Sequence, residues 1–133
     1  YNYFMEFIYR YLVAAGIFVA CDAIWLTLMV KRFYRPNMGH LLATNTNFIA
    51  AAIFYALYIV GIIFFAVNPA IEKNSLTYAI GAGALLGLLM YATYDLTNLS
   101  TLKDWPLNVT IVDLMWGTFV TGFVATITYK IFN

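Results

Sequence analysis

The sequence predicts an all-α integral membrane protein, a bundle of four transmembrane helices, and three observations carry that reading. Of 133 residues, 64% are hydrophobic and only 10% are charged, whereas a water-soluble domain carries about 25% charged residues. The charges are also segregated: Lys31, Arg32, Arg35, His40, Glu72, Lys73, Lys103 and Asp104 fall between long apolar runs. Four such runs are each close to the ~20 residues that a helix needs to cross the hydrocarbon of a bilayer. They are continuously apolar, without the two-residue alternation of a membrane barrel, so strands are disfavoured. The spans are expected at residues 7–30, 47–68, 75–98 and 107–131, in one domain covering residues 1–133.

The first span is too long for the apolar core of a secretory signal and carries Asp22, so it reads as a helix that stays in the membrane. The first loop, residues 31–46, holds the Lys-Arg-Phe-Tyr-Arg segment at 31–35. Its rings suit the headgroup level and its cations suit lipid phosphate. In a sharper reading, Tyr34, Arg35 and His40 fold over the helix ends as a lid or substrate contact. The second span has no acid, and its polar tips are Tyr55 and Tyr58, so it is expected to be a lipid-facing or support helix.

Residues 69–73 and 99–106 form short connections, which favour antiparallel packing of consecutive helices. On the third span Ala79, Gly83 and Gly87 repeat every four residues, a small-residue stripe that lets a neighbouring helix come close. Tyr91 and Asp95 continue the spacing, and Asn98 follows. Trp105-Pro106 reads as an interfacial anchor and a helix start, and the fourth span carries a second polar or small stripe at Thr110, Asp113, Gly117 and Thr121.

Asp22, Asp95 and Asp113 are the informative residues. A carboxylate in a spanning helix costs at least a few kcal/mol on insertion scales, so it faces protein, a partner or water. Asp22 precedes Lys31 by about 13 Å of helix, Asp113 follows Pro106 by roughly 10 Å, and Asp95 is near the exit of its span. All three therefore fall in the same half of the membrane. Asp22-Ala-Ile-Trp25 is echoed by Asp113-Leu-Met-Trp116 on the fourth span. The candidate ligand- or proton-binding set is Asp22, Asp95, Asp113, Trp25, Trp116, Tyr91, Tyr94 and Asn98. Its candidate lid or rim is Tyr34, Arg35, His40, Lys103 and Trp105.

Clustered carboxylates in a low dielectric repel one another and invite a shared proton or a cation. The competing reading makes each acid a protonated link to Tyr, Thr, Asn or an indole nitrogen, joining helices without binding anything. Enzyme signatures are sparse: there is no His-Glu-x-x-His helix, nucleophile elbow or phosphate-binding glycine loop. A single cysteine, Cys21, excludes an intramolecular disulfide and reads as a packing residue. A single histidine excludes a histidine-rich metal site within one chain, and Asp95, Asn98 and Asp113 are too few oxygen ligands to assign a hard cation. No metal or cofactor is assigned, and the expected partners are the lipid bilayer and, as open alternatives, a homo-oligomer or a larger membrane complex, with no nucleic acid.

Three functions remain open: a binding or transport module for a proton, cation or small ligand; an accessory subunit of a larger membrane complex; and, less favoured, a lipid-modifying enzyme using Asp95 and Asp113 with Arg35, His40 or Lys103. Arg10, Lys73 and Lys130 on one side face Lys31, Arg32, Arg35 and Lys103 on the other. The dense 31–35 cluster places the first and third loops in the cytoplasm and the termini outside.

The Tyr-Asp-Leu-Thr-Asn-Leu-Ser-Thr-Leu-Lys-Asp-Trp-Pro segment at 94–106, with Asp22-x-x-Trp25, Phe33-Tyr34-Arg35, Gly39-His40-Leu41 and Val112-Asp113-Leu114-x-Trp116-Gly117, extends over most of the chain. In these residues the sequence resembles a family of small bacterial predicted membrane proteins classified as a domain of unknown function. The resemblance implies four membrane helices, in a bacterial inner membrane, and assigns no activity and no role to any residue.

Overall fold

The computed structural model describes residues 2–133. Helix α1, Tyr3–Met29, starts at Asn2, whose side chain accepts from the backbone N–H of Phe4 and Met5 at 3.0 and 3.3 Å. It does not end at the first basic cluster. A π-helical turn, Val30–Tyr34, carries it into α2, Arg35–Met38, and a 3₁₀ turn, Gly39–Leu41. The second span repeats the device: α3, Phe48–Ile62, passes through a π-helical turn, Ile63–Val67, into α4, Asn68–Lys73.

In both places the widened turn ends two residues before a proline, Pro36 or Pro69. A proline has no N–H to donate, and its ring collides with the carbonyl four residues back. A turn widened by one residue relieves that collision and lets the helix continue. Residues 31–41 and 69–73, expected as loop, are therefore mostly helical.

The remaining links are short. Asn74 takes a left-handed conformation at φ 50°, which Asn tolerates, and Ser75 caps α5, Leu76–Thr101, by accepting from Tyr78 N–H at 3.0 Å. Residues 102–106 then lead through Pro106, which is extended, into α6, Leu107–Phe132. Four helical stretches are long and apolar enough to cross a membrane: Tyr3–Leu41, Phe48–Lys73, Leu76–Thr101 and Leu107–Phe132. Among the described residues there is no strand. The protein is an all-α membrane bundle of four spans.

Helices α5 and α6 form its tightest pair. A Cβ on Gly87 would lie 2.1 Å from the carbonyl oxygen of Gly117, and one on Gly83 would lie 2.8 Å from Ala125 Cβ and 3.0 Å from Gly122 Cα. The small-residue stripe thus brings the two backbones into contact, where dispersion rather than hydrophobic expulsion drives association in lipid. The main core joins Val120, Val124 and Ala125 of α6 to Ala14 and Phe18 of α1 and to Tyr58, Ile62, Ile63 and Val67 of the second span.

That core occupies the end of the bundle near Asn74. At the other end the first half of α3 is exposed, with Phe48 and Ile49 at 76% and Ile53 at 57%. The second span therefore stands off the bundle where the three acids lie, and the space it leaves is walled by α1, α3, α5 and α6.

Candidate functional site

Asp113 sits on α6 beyond the helix start at Leu107, facing the turn that interrupts the first span. Tyr34, in that π-helical turn, donates its hydroxyl to Asp113 Oδ1 at 2.5 Å and receives Trp25 Nε1–H at 3.0 Å. Trp25 and Trp116 stack, ring centres 4.3 Å apart and planes inclined by 8°. The two Asp-x-x-Trp motifs thus meet through their indoles, each ring one turn from its own acid. Asp22 is held separately: its Oδ2 accepts from Tyr55 at 3.1 Å.

Asp22 and Asp113 line one cavity of about 650 Å³, walled also by Trp25, Trp116, Tyr34, Tyr55, Tyr91 and Tyr94. Asp95 is fully buried at 0% exposure. Its carboxyl lies against that of Asp113, and neither of its oxygens meets an N–H or O–H donor among the described residues. It faces an adjoining cavity of about 320 Å³ shared with Asp113, Tyr55, Tyr91 and Tyr94. The Trp116 indole N–H is likewise buried without an acceptor. Two carboxyls in contact can bond only through a proton or a cation between them.

The first-loop segment closes over this end of the bundle. Asn108 on α6 donates to Asn37 Oδ1 at 2.7 Å, and His40 Nε2–H donates to the Asp104 carbonyl at 3.1 Å. Met38, Trp105 and Val109 form a small buried cluster with Phe33, Tyr34 and Leu99 against it. Trp105, expected as an interfacial anchor, is 8% exposed, donates to Thr110 Oγ1 at 2.9 Å and meets Tyr94 edge to face. It serves as an internal anchor because the α2 segment covers it.

Arg35 is exposed and lines the larger cavity, the one basic side chain that does so. His40, Lys103 and Asn98 line neither of the two cavities. His40 is tied to the backbone, Lys103 is exposed in the α5–α6 link, and Asn98 lies beside Tyr94.

The second span contributes more than support. Besides Tyr55 on Asp22, Tyr58 is 1% exposed and shares a 2.5 Å hydrogen bond with Thr121 of α6. Phe18 of α1 packs against both phenol rings, at 5.4 and 4.8 Å. The signal was present in the sequence: tyrosines three apart lie on one helix face. At the opposite end Arg10 pairs with Glu6 and donates to Asn68 Oδ1 at 2.7 Å, pinning α1 to α4.

By fold, this is a polytopic α-helical membrane protein. The chain belongs to the family described as Predicted membrane protein (DUF2177), which it matches over residues 7–130. Comparison with curated proteins and with solved structures gives no match.

Proposed function

We propose that the protein binds a cation, exchangeable with a proton, at the acids on the α2-covered side of its bundle. The observation that carries this reading is the Asp95–Asp113 pair: a fully buried carboxyl without a protein donor, pressed against a second carboxyl. Two negative charges so placed would repel by several kcal/mol in a low dielectric, and a bound positive charge removes that repulsion. If the acids only joined helices, each would be expected to find donors on neighbouring helices. Tyr34 and Tyr55 satisfy one oxygen each of Asp113 and Asp22, whereas Asp95 meets only the Asp113 carboxyl, and a cavity remains beside the pair.

Exchange of the proton shared by this pair for a cation bound beside Asp113 would suit a transport module. A homo-oligomer or a larger complex is compatible with α1, whose most apolar stretch is only 11% buried against 44% for α6. The lipid-modifying reading is weaker, because of Arg35, His40 and Lys103 only Arg35 lines a cavity with the acids. We place the protein in a bacterial inner membrane, with the first and third loops cytoplasmic.

The test uses purified protein in nanodiscs in weak buffer, titrated with sodium, potassium or tetramethylammonium chloride while a pH indicator follows proton release. At least one cation should release protons saturably, and Asp95→Asn or Asp113→Asn should abolish that release. A wild type indifferent to every cation, or variants that respond unchanged, would contradict the proposal.

A further inference from the structure

The larger cavity is built for more than a proton. About 650 Å³ is the size range of small-molecule pockets and far exceeds the space a proton occupies. A hard metal ion would need six or more oxygen ligands drawn close around it. Among the described residues, no three His, Cys, Asp or Glu side chains come together in a way that could hold a metal ion. Asp22 and Asp113 are instead two acids in one roomy space, each already holding a tyrosine hydroxyl.

The rest of the wall is unusual. Seven of its seventeen lining residues are Trp or Tyr, against a single cationic side chain, Arg35. Aromatic faces attract a diffuse, weakly hydrated cation through their quadrupoles, and rings grouped around a cavity recognise alkylammonium groups. The stacked Trp25–Trp116 pair is fixed by Tyr34, so part of this wall is ordered before anything binds. Asp95, fully buried against Asp113, borders the adjoining cavity and not this one, and adds an acidic group next to Asp113.

We infer that the cation is an organic ammonium ion, held between Asp22 and Asp113 against the aromatic wall that includes the Trp25–Trp116 stack. The inference rests on the cation-binding reading above and names its ligand class. The ammonium group could belong to a free amine or to the headgroup of an amine-bearing lipid; the chemistry at the site is the same.

Wild-type protein in phosphatidylglycerol nanodiscs, which carry no amine, is titrated at constant ionic strength with tetramethylammonium, sodium or potassium chloride while tryptophan emission is followed. Tetramethylammonium should bind about tenfold tighter than either metal ion, the preference that cation–π contacts supply. Trp25→Leu should erase that preference, and Trp25→Phe, which keeps a ring, should retain most of it. Repeating the titration in nanodiscs half composed of phosphatidylethanolamine separates the sources. A suppressed response identifies a lipid headgroup as the occupant and an unchanged one a free amine, both within the ammonium class. Sodium or potassium binding as tightly as tetramethylammonium would overturn the ligand class and leave the cation site standing, whereas no binding of any cation would overturn both. If Trp25→Leu fails to fold, the wild-type ranking still decides; if it folds and keeps the full preference, the aromatic wall has no part in binding.

Discussion

A Cβ on Gly87 would run into the Gly117 carbonyl oxygen, and one on Gly117 into the Tyr91 ring at 2.2 Å, so neither position has room for a methyl group and the first could gain it only by moving a helix. Gly87→Ala should therefore destabilise the protein by roughly 1–3 kcal/mol, the usual range for overpacking. Gly16→Ala, mid-helix where an added Cβ meets nothing within 4 Å, should leave stability unchanged or raise it by up to about 1 kcal/mol. Thermal unfolding in detergent followed by circular dichroism checks the pair, and equal stabilities would contradict the close-contact account. Tyr58→Phe removes the bond to Thr121 and should cost about 0.6 kcal/mol, up to ~1.7, as interhelical hydrogen bonds in membranes do. The glycine stripe was legible in sequence because close helix approach in lipid needs small residues at four-residue spacing. The acids were legible because an apolar run leaves a carboxylate few places to go. Tyr55 and Tyr58 were not, since a phenol serves equally at a lipid interface and in a hydrogen bond inside the bundle, and only the packing of Phe18 between α1 and α3 decides which.

At the scale of elements, the two π-helical turns decide the architecture of both ends. The turn at Val30–Tyr34 rotates Tyr34 onto Asp113 and lets α2 continue over the bundle; the turn at Ile63–Val67 carries the second span past Pro69 and down to Asn74. Hydrophobic periodicity does not reveal one extra residue in a turn, and a proline ordinarily marks a helix end. The first loop is therefore shorter, and the second helical stretch longer, than the sequence pattern suggests. The covering segment depends on a few polar contacts, and Tyr34 supplies the one that reaches into the site. Tyr34→Phe keeps the ring but loses the bonds to Asp113 and Trp25. Amide hydrogen exchange over residues 30–41 should then speed up severalfold, while α5 and α6 exchange as before. Unchanged exchange in 30–41 would mean that the Met38–Trp105–Val109 cluster holds the segment unaided.

Across the whole molecule, the tight core and the cavity divide the bundle lengthwise. Toward Asn74 the second span packs against α1 and α6, whereas toward the α2 side α3 stands off and polar groups line the gap. The fold class was readable from composition alone, because a chain with so few charges cannot cover a soluble surface. The division was not, because it depends on how α3 leans, and that follows from contacts made near the other end of its span. Orientation is open to direct test. In a Cys21→Ala background, Lys103→Cys should react with an impermeant maleimide only after the membrane is opened, and Lys73→Cys should react in intact cells. The reverse pattern would invert the assignment without disturbing the site. The central claim, that the acids enclose a bound cation, is tested most directly by an X-ray structure of the protein extracted with its native lipids and crystallised in a lipidic mesophase. The account predicts density for an occupant between Asp22 and Asp113, against Trp25 and Trp116. A collapsed cavity, with Asp22, Asp95 and Asp113 all bonded to protein donors and no space between them, would contradict it.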